Sequence, residues 1–374
     1  MSTFARTDRS LVGSWWWTVD RWTLAALITL MGFGAILMLA ASPAAAQRIG
    51  LGGFQLARQQ LALMPLALAT MIAISLLSPL WIRRLAVAGF LGALGLCLLT
   101  LVVGSEIKGA TRWINVAGFS LQPSEFIKPF FAVVAAWMFA AAKGEGRVPG
   151  ARIATLLWLL VVALLLLQPD VGQTFLVTAV WGTQFFLAGL SLVWVGVLVT
   201  LGIAGLVGAY FALPHVAARI NGFLDPQAGD QYQINRSLEA FMNGGLTGRG
   251  PGEGTVKALL PDAHSDFIFA VAGEEFGLFA CLIILALIGF VVLRGFARTF
   301  NDTDLFVLLA AGGLLVQFGL QALINMASTL HLMPTKGMTL PFISYGGSSL
   351  MALAVGMGMV LALTRRRVRT GALS

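Results

Sequence analysis

Charge is scarce in this chain of 374 residues, and that scarcity decides its class. Only 11% of the residues are charged, against about a quarter in a soluble domain. Hydrophobic residues make up 58% and the mean hydropathy is +0.87. No water-soluble fold hides that much apolar side chain, so lipid is the solvent for most of the length. Cysteine is nearly absent. Cys97 and Cys281 both lie inside apolar runs, which argues against a disulfide framework and against a cysteine metal site. There are three histidines, and His264 has no second histidine at ligand spacing, so no zinc site is read. No G-x-x-x-x-G-K-[ST] loop occurs, and the glycine-rich NGGLTGRGPGEG lacks a strand–helix frame, which leaves nothing to hold a nucleotide. The net charge of +8 is scattered through short links between apolar runs. That is the pattern of orientation signals rather than of a nucleic-acid surface.

What is present is a series of ten apolar runs, at about 22–43, 60–80, 84–104, 123–142, 152–168, 170–188, 191–213, 267–293, 303–325 and 345–364. Each is close to the ~20 residues that a helix needs to cross a bilayer. The expected fold is therefore an all-α integral membrane protein, a single domain over 1–374 with about ten transmembrane helices. Residues 1–21 and 365–374 are expected as cytoplasmic tails, and 214–266 as a large outer loop between the seventh and eighth helices. The first run ends in AASPAAAQ, which has the small residues of a signal-peptidase site. It is longer than the 7–15 residues of a signal-peptide core, so it is read as an uncleaved span. Basic residues crowd the short links and termini of one side (Arg21, Arg83, Arg84, Arg152, Arg294, Arg298, Arg365, Arg366), which gives N-in, C-in. Most acidic residues then face outward. Chemistry outside the membrane has little ATP to draw on and needs a substrate that arrives activated, as lipid-linked pyrophosphates do.

Three segments could carry that chemistry. In LLPDAHSDFIFAVAGEEFG, residues 259–277, Asp266 stands where the outer loop enters the eighth span. Ser265 or Asp266 is a good helix cap there, and Asp266 is equally a carboxylate at a cavity lip, able to take a proton from a sugar hydroxyl. Glu274 and Glu275 lie deeper, at a cost that demands an interior face, a partner or a proton; both are read as structural. In GATRWINVAGFSLQPSEFIKPF, residues 109–130, Pro123 suits a first helical position. Glu125 and Lys128 share a face three residues apart. They read as an internal ion pair, and Lys128 with Arg112 and Arg58 also reads as a phosphate-holding set. In LMPTKGMTLPFISYGGSSL, residues 332–350, Gly346 and Gly347 open the tenth helix. They serve packing or offer amides to an anion. Gln168-Pro169-Asp170 reads as a break between spans.

Taken together, RWINVAGFSLQPSEFIK, LLQPDVGQT, LPDAHSDFIFAVAGEEFG and KGMTLPFISYGGSSL closely resemble the SEDS family of peptidoglycan glycosyltransferases. The likeness runs in order from the first span to the last and is nearer to the cell-division branch than to the elongation branch. The resemblance implies ten transmembrane helices, lipid II as substrate, and residence in the bacterial inner membrane at the division septum. It implies as partners a class B penicillin-binding protein and other divisome proteins, and no nucleic acid. By motif it implies Asp266 as the catalytic residue, although Ser265 stands where the family usually has threonine. Glu125 and Lys128 become cavity residues, with Arg112 and Arg58 as further pyrophosphate contacts. His264, Ser265, Ser344, Gly346, Gly347 and Ser348 fall in the same segments as cavity lining. No resident metal is read, and assistance by a divalent cation, Mg²⁺ or Mn²⁺, stays open. The rival readings are a lipid II flippase, which calls for polar groups at the bilayer midplane, and a non-catalytic divisome scaffold.

Overall fold

The computed structural model describes residues 10–48, 50–107, 110–116, 119–144, 148–189, 191–212, 214–224, 232–300, 302–334 and 337–366. Every apolar run forms a helix: α2 (Arg21–Arg48), α3 (Gln55–Ser75), α4 (Pro79–Val103), α5 (Pro123–Ala142), α6 (Gly150–Leu167), α7 (Val171–Leu187), α8 (Leu192–Ala212), α11 (Ile268–Thr299), α12 (Leu305–Thr329) and α13 (Gly347–Leu363). Eight of these are long and apolar enough to cross a membrane. The other two, α7 and α13, have 17 residues each. Large apolar side chains remain exposed around the bundle, among them Leu91, Leu156 and Leu293 at 60%, 64% and 72%. Lipid accommodates such a belt where water would not.

Three short α-helices and a small sheet lie outside the ten runs. Leu11–Thr18, within the stretch expected as a tail, forms α1. It is docked rather than loose, because Trp15 is buried and its indole N–H donates to Ser75 Oγ at 2.8 Å. Pro214–Leu224 and Tyr232–Gly244 form α9 and α10 within the expected outer loop. The link between α4 and α5 adds strand to an otherwise helical chain. β1 (Ser105–Ile107), β2 (Ala110–Val116) and β3 (Phe119–Leu121) make an antiparallel sheet in that order, with Ile114 opposite Leu121. Thr111, Trp113, Ile114 and Val116 are β-branched or aromatic, types that suit a pleated surface. The middle strand carries Arg112.

Burial ranks the helices. In α12 and α5, 72% and 67% of the apolar window lies inside the protein, against 28% in α3, α4 and α6. Polar groups on α5 and α12 are therefore screened from lipid by their neighbours. At one end of the bundle, Arg294 on α11 holds Asp20 ahead of α2 (2.7 and 3.0 Å), and Arg365 reaches Thr18 Oγ1 (3.0 Å) and the Leu76 carbonyl (3.2 Å). At the opposite end stand the starts of α3, α5, α11 and α13, with the β-sheet.

The helix α11 is interrupted. Gly277 leaves helical geometry at φ 73° and ψ −173°, a left-handed conformation that only glycine adopts without strain. The stretch 244–250 runs alongside the break and supplies what the helix loses. Leu278 N–H donates to the Gly245 carbonyl (3.0 Å), while Arg249 and Gly250 N–H donate to the carbonyls of Glu274 and Glu275 (both 3.0 Å). The glycine-rich loop is thus built into the bundle beside α11.

Candidate active site

The site is built at the end where α3, α5, α11 and α13 begin. Asp266 is half-buried, in the turn just before α11. The helix starts at Ile268, with Phe267 in the N-cap position expected of Ser265 or Asp266. Three neighbours hold the segment through its backbone. Asn325 Nδ2 on α12 donates to the Asp266 carbonyl (2.9 Å) and to the Met338 carbonyl (2.7 Å). Ser344 Oγ donates to the Ser265 carbonyl (2.6 Å), and Tyr345 N–H donates to the His264 carbonyl (2.9 Å). The Asp266 carboxylate is directed at the loop ahead of α13, with Oδ2 3.4 Å from the Cβ position of Gly337. Its neighbours Thr335 and Lys336 lie outside the described residues.

Below this turn runs a continuous polar network. Pro123 opens α5, as its missing N–H predicts, and one turn on Lys128 Nζ donates to Glu125 Oε2 (2.9 Å) and Gln321 Oε1 (3.2 Å). Gln173 Nε2 donates to Glu125 Oε1 at 2.6 Å. Gln321 Nε2 donates to the carbonyl and hydroxyl of Thr339 (both 3.1 Å), and Thr339 shares a 2.6 Å hydrogen bond with Ser349. Glu125 and Lys128 are 5% and 3% exposed, so the ion-pair reading of these two holds in full. Charges at that depth persist because they are paired and further hydrogen-bonded.

Arg112 joins the network from the sheet. It forms an ion pair with Asp170 (3.4 Å), and its Nε donates to the Gln168 carbonyl (2.8 Å). Asp170 in turn caps α7, accepting from Gln173 N–H at 3.2 Å. The Gln168-Pro169-Asp170 break is therefore also an anchor for Arg112. Arg58 is not brought into this network. It stands exposed on the first turn of α3, and among the described residues it has no ion pair. Its neighbours do reach the site, since Gln59 Oε1 accepts from Tyr345 Oη (2.7 Å) and Gln60 Nε2 donates to the Ser344 carbonyl (3.2 Å). Gly346 N–H donates to Gln60 Oε1 at 3.3 Å, and Ser348 Oγ accepts from Gln122 N–H at 2.9 Å. The Gly346 amide thus has a partner inside the protein.

Glu274 and Glu275 are buried, and the stretch 243–257 closes over them. Glu274 accepts from Asn243 Nδ2 and from the N–H groups of Thr255, Val256 and Lys257, each at 2.8 Å. Glu275 accepts from Gly252 N–H (2.6 Å) and from the Lys257 ammonium. Their role is architectural. Among the described residues, no group of three or more His, Cys, Asp or Glu is placed to hold a metal.

Several site residues escaped the sequence reading: Gln60, Asp170, Gln173, Gln321, Asn325 and Thr339. One signal was there to be found. Gln317, Gln321 and Asn325 recur every four residues in an apolar run, which puts three amides on one helix face, and polar groups inside a span are costly unless used.

Comparison with known proteins adds the lineage. The sequence profile of the FtsW/RodA/SpoVE family, described as cell cycle protein, matches residues 21–369. The chain belongs to this family. A probable peptidoglycan glycosyltransferase FtsW of Caulobacter vibrioides is 50% identical over 366 residues, covering 97% of this chain and 94% of the relative. A protein of the same name from Trichlorobacter lovleyi is 34% identical over 355 residues, covering 91% and 92%. Among solved structures, a chain of a peptidoglycan synthase complex that coordinates polymerization and crosslinking superposes with a TM-score of 0.75 at 28% identity, covering 92% of this chain and 97% of that one. The rod shape determining protein RodA of Thermus thermophilus gives 0.69 at 28% identity, covering 93% and 97%. The likeness spans both chains almost end to end, so the helical bundle as a whole is a shared fold.

Proposed function

We propose that this chain is a peptidoglycan glycosyltransferase that polymerises lipid II into glycan strands at the outer face of the bacterial inner membrane, at the division septum. The ten apolar helices then all cross, with both termini in the cytoplasm. The orientation is supported by the arginines gathered at the end that holds Asp20, Arg294, Arg298 and Arg365. The site end faces outward.

The observation that carries the mechanism is the position of Asp266. It sits at the lip of the bundle, just ahead of α11, with its backbone fixed by Asn325 and its neighbour Ser265 fixed by Ser344. Asp266 acts as general base. It takes the proton of the lipid II sugar 4-hydroxyl as that oxygen bonds to the anomeric carbon of the lipid-linked chain. The bond from that carbon to the pyrophosphate breaks, undecaprenyl pyrophosphate leaves with the electron pair, and the anomeric centre inverts. Lys128, Arg112 and Arg58 offset the charge growing on the pyrophosphate. Of the three, Arg58 is exposed, while Lys128 and Arg112 act from the buried network. A divalent cation, Mg²⁺ or Mn²⁺, would supply further positive charge to the leaving pyrophosphate. The partner is a class B penicillin-binding protein that crosslinks the new strand within the divisome.

The test is polymerisation of labelled lipid II by the purified protein with its cognate class B partner, the transpeptidase blocked. General base catalysis contributes roughly 10²–10⁴-fold, so Asp266→Ala should lose about that much rate while its melting temperature stays at the wild-type value. Polymer from a folded Asp266→Ala at the wild-type rate removes the base assignment. Absence of polymer from the wild type, with lipid II crossing vesicle bilayers, replaces the polymerase by a flippase.

A further inference from the structure

The end of the bundle opposite the site holds a cavity that the polymerase reading leaves unused. It measures about 170 Å³ and is lined by residues 17–22 with Arg294, Arg298 and Arg366. A water needs roughly 10–15 Å³ of such space, so a phosphate group has ample room. Four arginines face it with one carboxylate among them. Asp20 is 1% exposed and already shared: Arg294 donates to both its oxygens (2.7 and 3.0 Å), and Arg298 Nε lies 3.0 Å from Oδ2. Arg21 and Arg366 have no part in that arrangement. Arg366 is held at the rim through its backbone, its N–H donating to the Thr18 carbonyl at 3.0 Å. Arg21 lies over the rings of Trp16 and Trp17, at 5.7 and 5.3 Å.

We propose that this cavity binds the phosphodiester headgroup of an anionic phospholipid of the inner leaflet. Guanidinium forks match phosphate oxygens in pairs, and here they stand in excess of the single internal acid. The aromatic rim favours a lipid over free phosphate. Trp17 and Trp22 are 37% and 68% exposed, and tryptophan at the edge of a span settles at the headgroup level. Basic pockets between helices on the cytoplasmic side take anionic headgroups by the same chemistry. The site joins α1, the start of α2, the end of α11 and the segment after α13, so a bound lipid would tie the first helices to the last. The inference goes beyond glycosyl transfer and does not depend on it.

Native mass spectrometry of the full-length protein, titrated with phosphatidylglycerol, phosphatidylcholine or inorganic phosphate, tests it. The expected result is saturable binding of phosphatidylglycerol and none of phosphatidylcholine. Each basic residue near a membrane surface contributes about five-fold in affinity. Arg21→Gln with Arg366→Gln should therefore weaken phosphatidylglycerol binding roughly 30-fold while leaving the Asp20 pairs in place. Asp20→Asn removes the competing acid and should shift affinity the other way. Unchanged lipid affinity in both variants overturns the site. Inorganic phosphate that binds as tightly as the lipid overturns the lipid assignment.

Discussion

Lys128 and Glu125 form a buried ion pair, and the proposed reaction would give the same pair a second role. Each is almost fully enclosed, so removing one partner strands the other. Lys128→Met should cost about 3–5 kcal/mol, the penalty of an uncompensated buried charge. Glu125→Gln combined with Lys128→Met removes both charges and should recover most of that stability. Thermal unfolding in detergent reads both values, and polymerisation separates the roles, because the double variant should fold and still be inactive. A melting temperature for Lys128→Met equal to that of the wild type would show that the pair contributes no stability. At this scale the sequence was readable where a residue carries a full charge. Asp266, Glu125 and Lys128 stand out of apolar text by type alone. Gln173, Gln321 and Asn325 were not read, because a neutral amide carries no charge to mark it and the four-residue recurrence on α12 was passed over. Their value lies in partners 48, 193 and 59 residues away.

At the scale of elements, the joint between α11 and the loop at 244–258 makes a sharper prediction than any single helix does. Gly248 has φ 84°, and a Cβ added there would stand 2.2 Å from the Glu275 carbonyl oxygen. Gly248→Ala therefore cannot close the loop against α11, and the four donors on Glu274 lose their alignment. Glu274→Ala strands the same donors from the other side, with about 1–3 kcal/mol for each buried group left unsatisfied. Limited proteolysis should cut both variants within 244–258 where the wild type resists; equal resistance would mean that the loop is held elsewhere. All ten long helices were visible beforehand, since crossing a bilayer fixes length and apolarity together. The break at Gly277 was not, because one glycine in an apolar run is ordinarily absorbed. The strands at 105–121 were passed over for a related reason. Three short extended pieces, two of three residues, are too brief to show an alternating period.

At the scale of the whole molecule, the end of the bundle opposite the site is closed by one acid. Asp20 and Arg294 are 274 residues apart, so no local pattern announces the pair, although the arginines were visible as an inner cluster. Burial pushes the Asp20 carboxyl up, but hydrogen bonds from Arg294 and Thr23 and the charges of Arg298 and Arg294 outweigh it. The group titrates below the usual carboxylate range. A depressed folded value sets the sign. The stabilisation is fully present above the unfolded carboxylate value, about 3.9, and is lost as the pH falls through the lower folded value. Between α2 and α11 the loss is a loss of closure, since the same oxygens also accept from Trp22 N–H and Thr23 Oγ1 at the start of α2. The melting temperature should therefore be flat in this contribution above about pH 4 and should fall below it. Asp20→Asn should start lower at neutral pH and show a shallower acid decline, because it has no proton to take up at that position. Parallel acid declines in the two proteins would place the titrating group elsewhere. Matching melting temperatures at neutral pH would remove Asp20 as the clamp between α2 and α11.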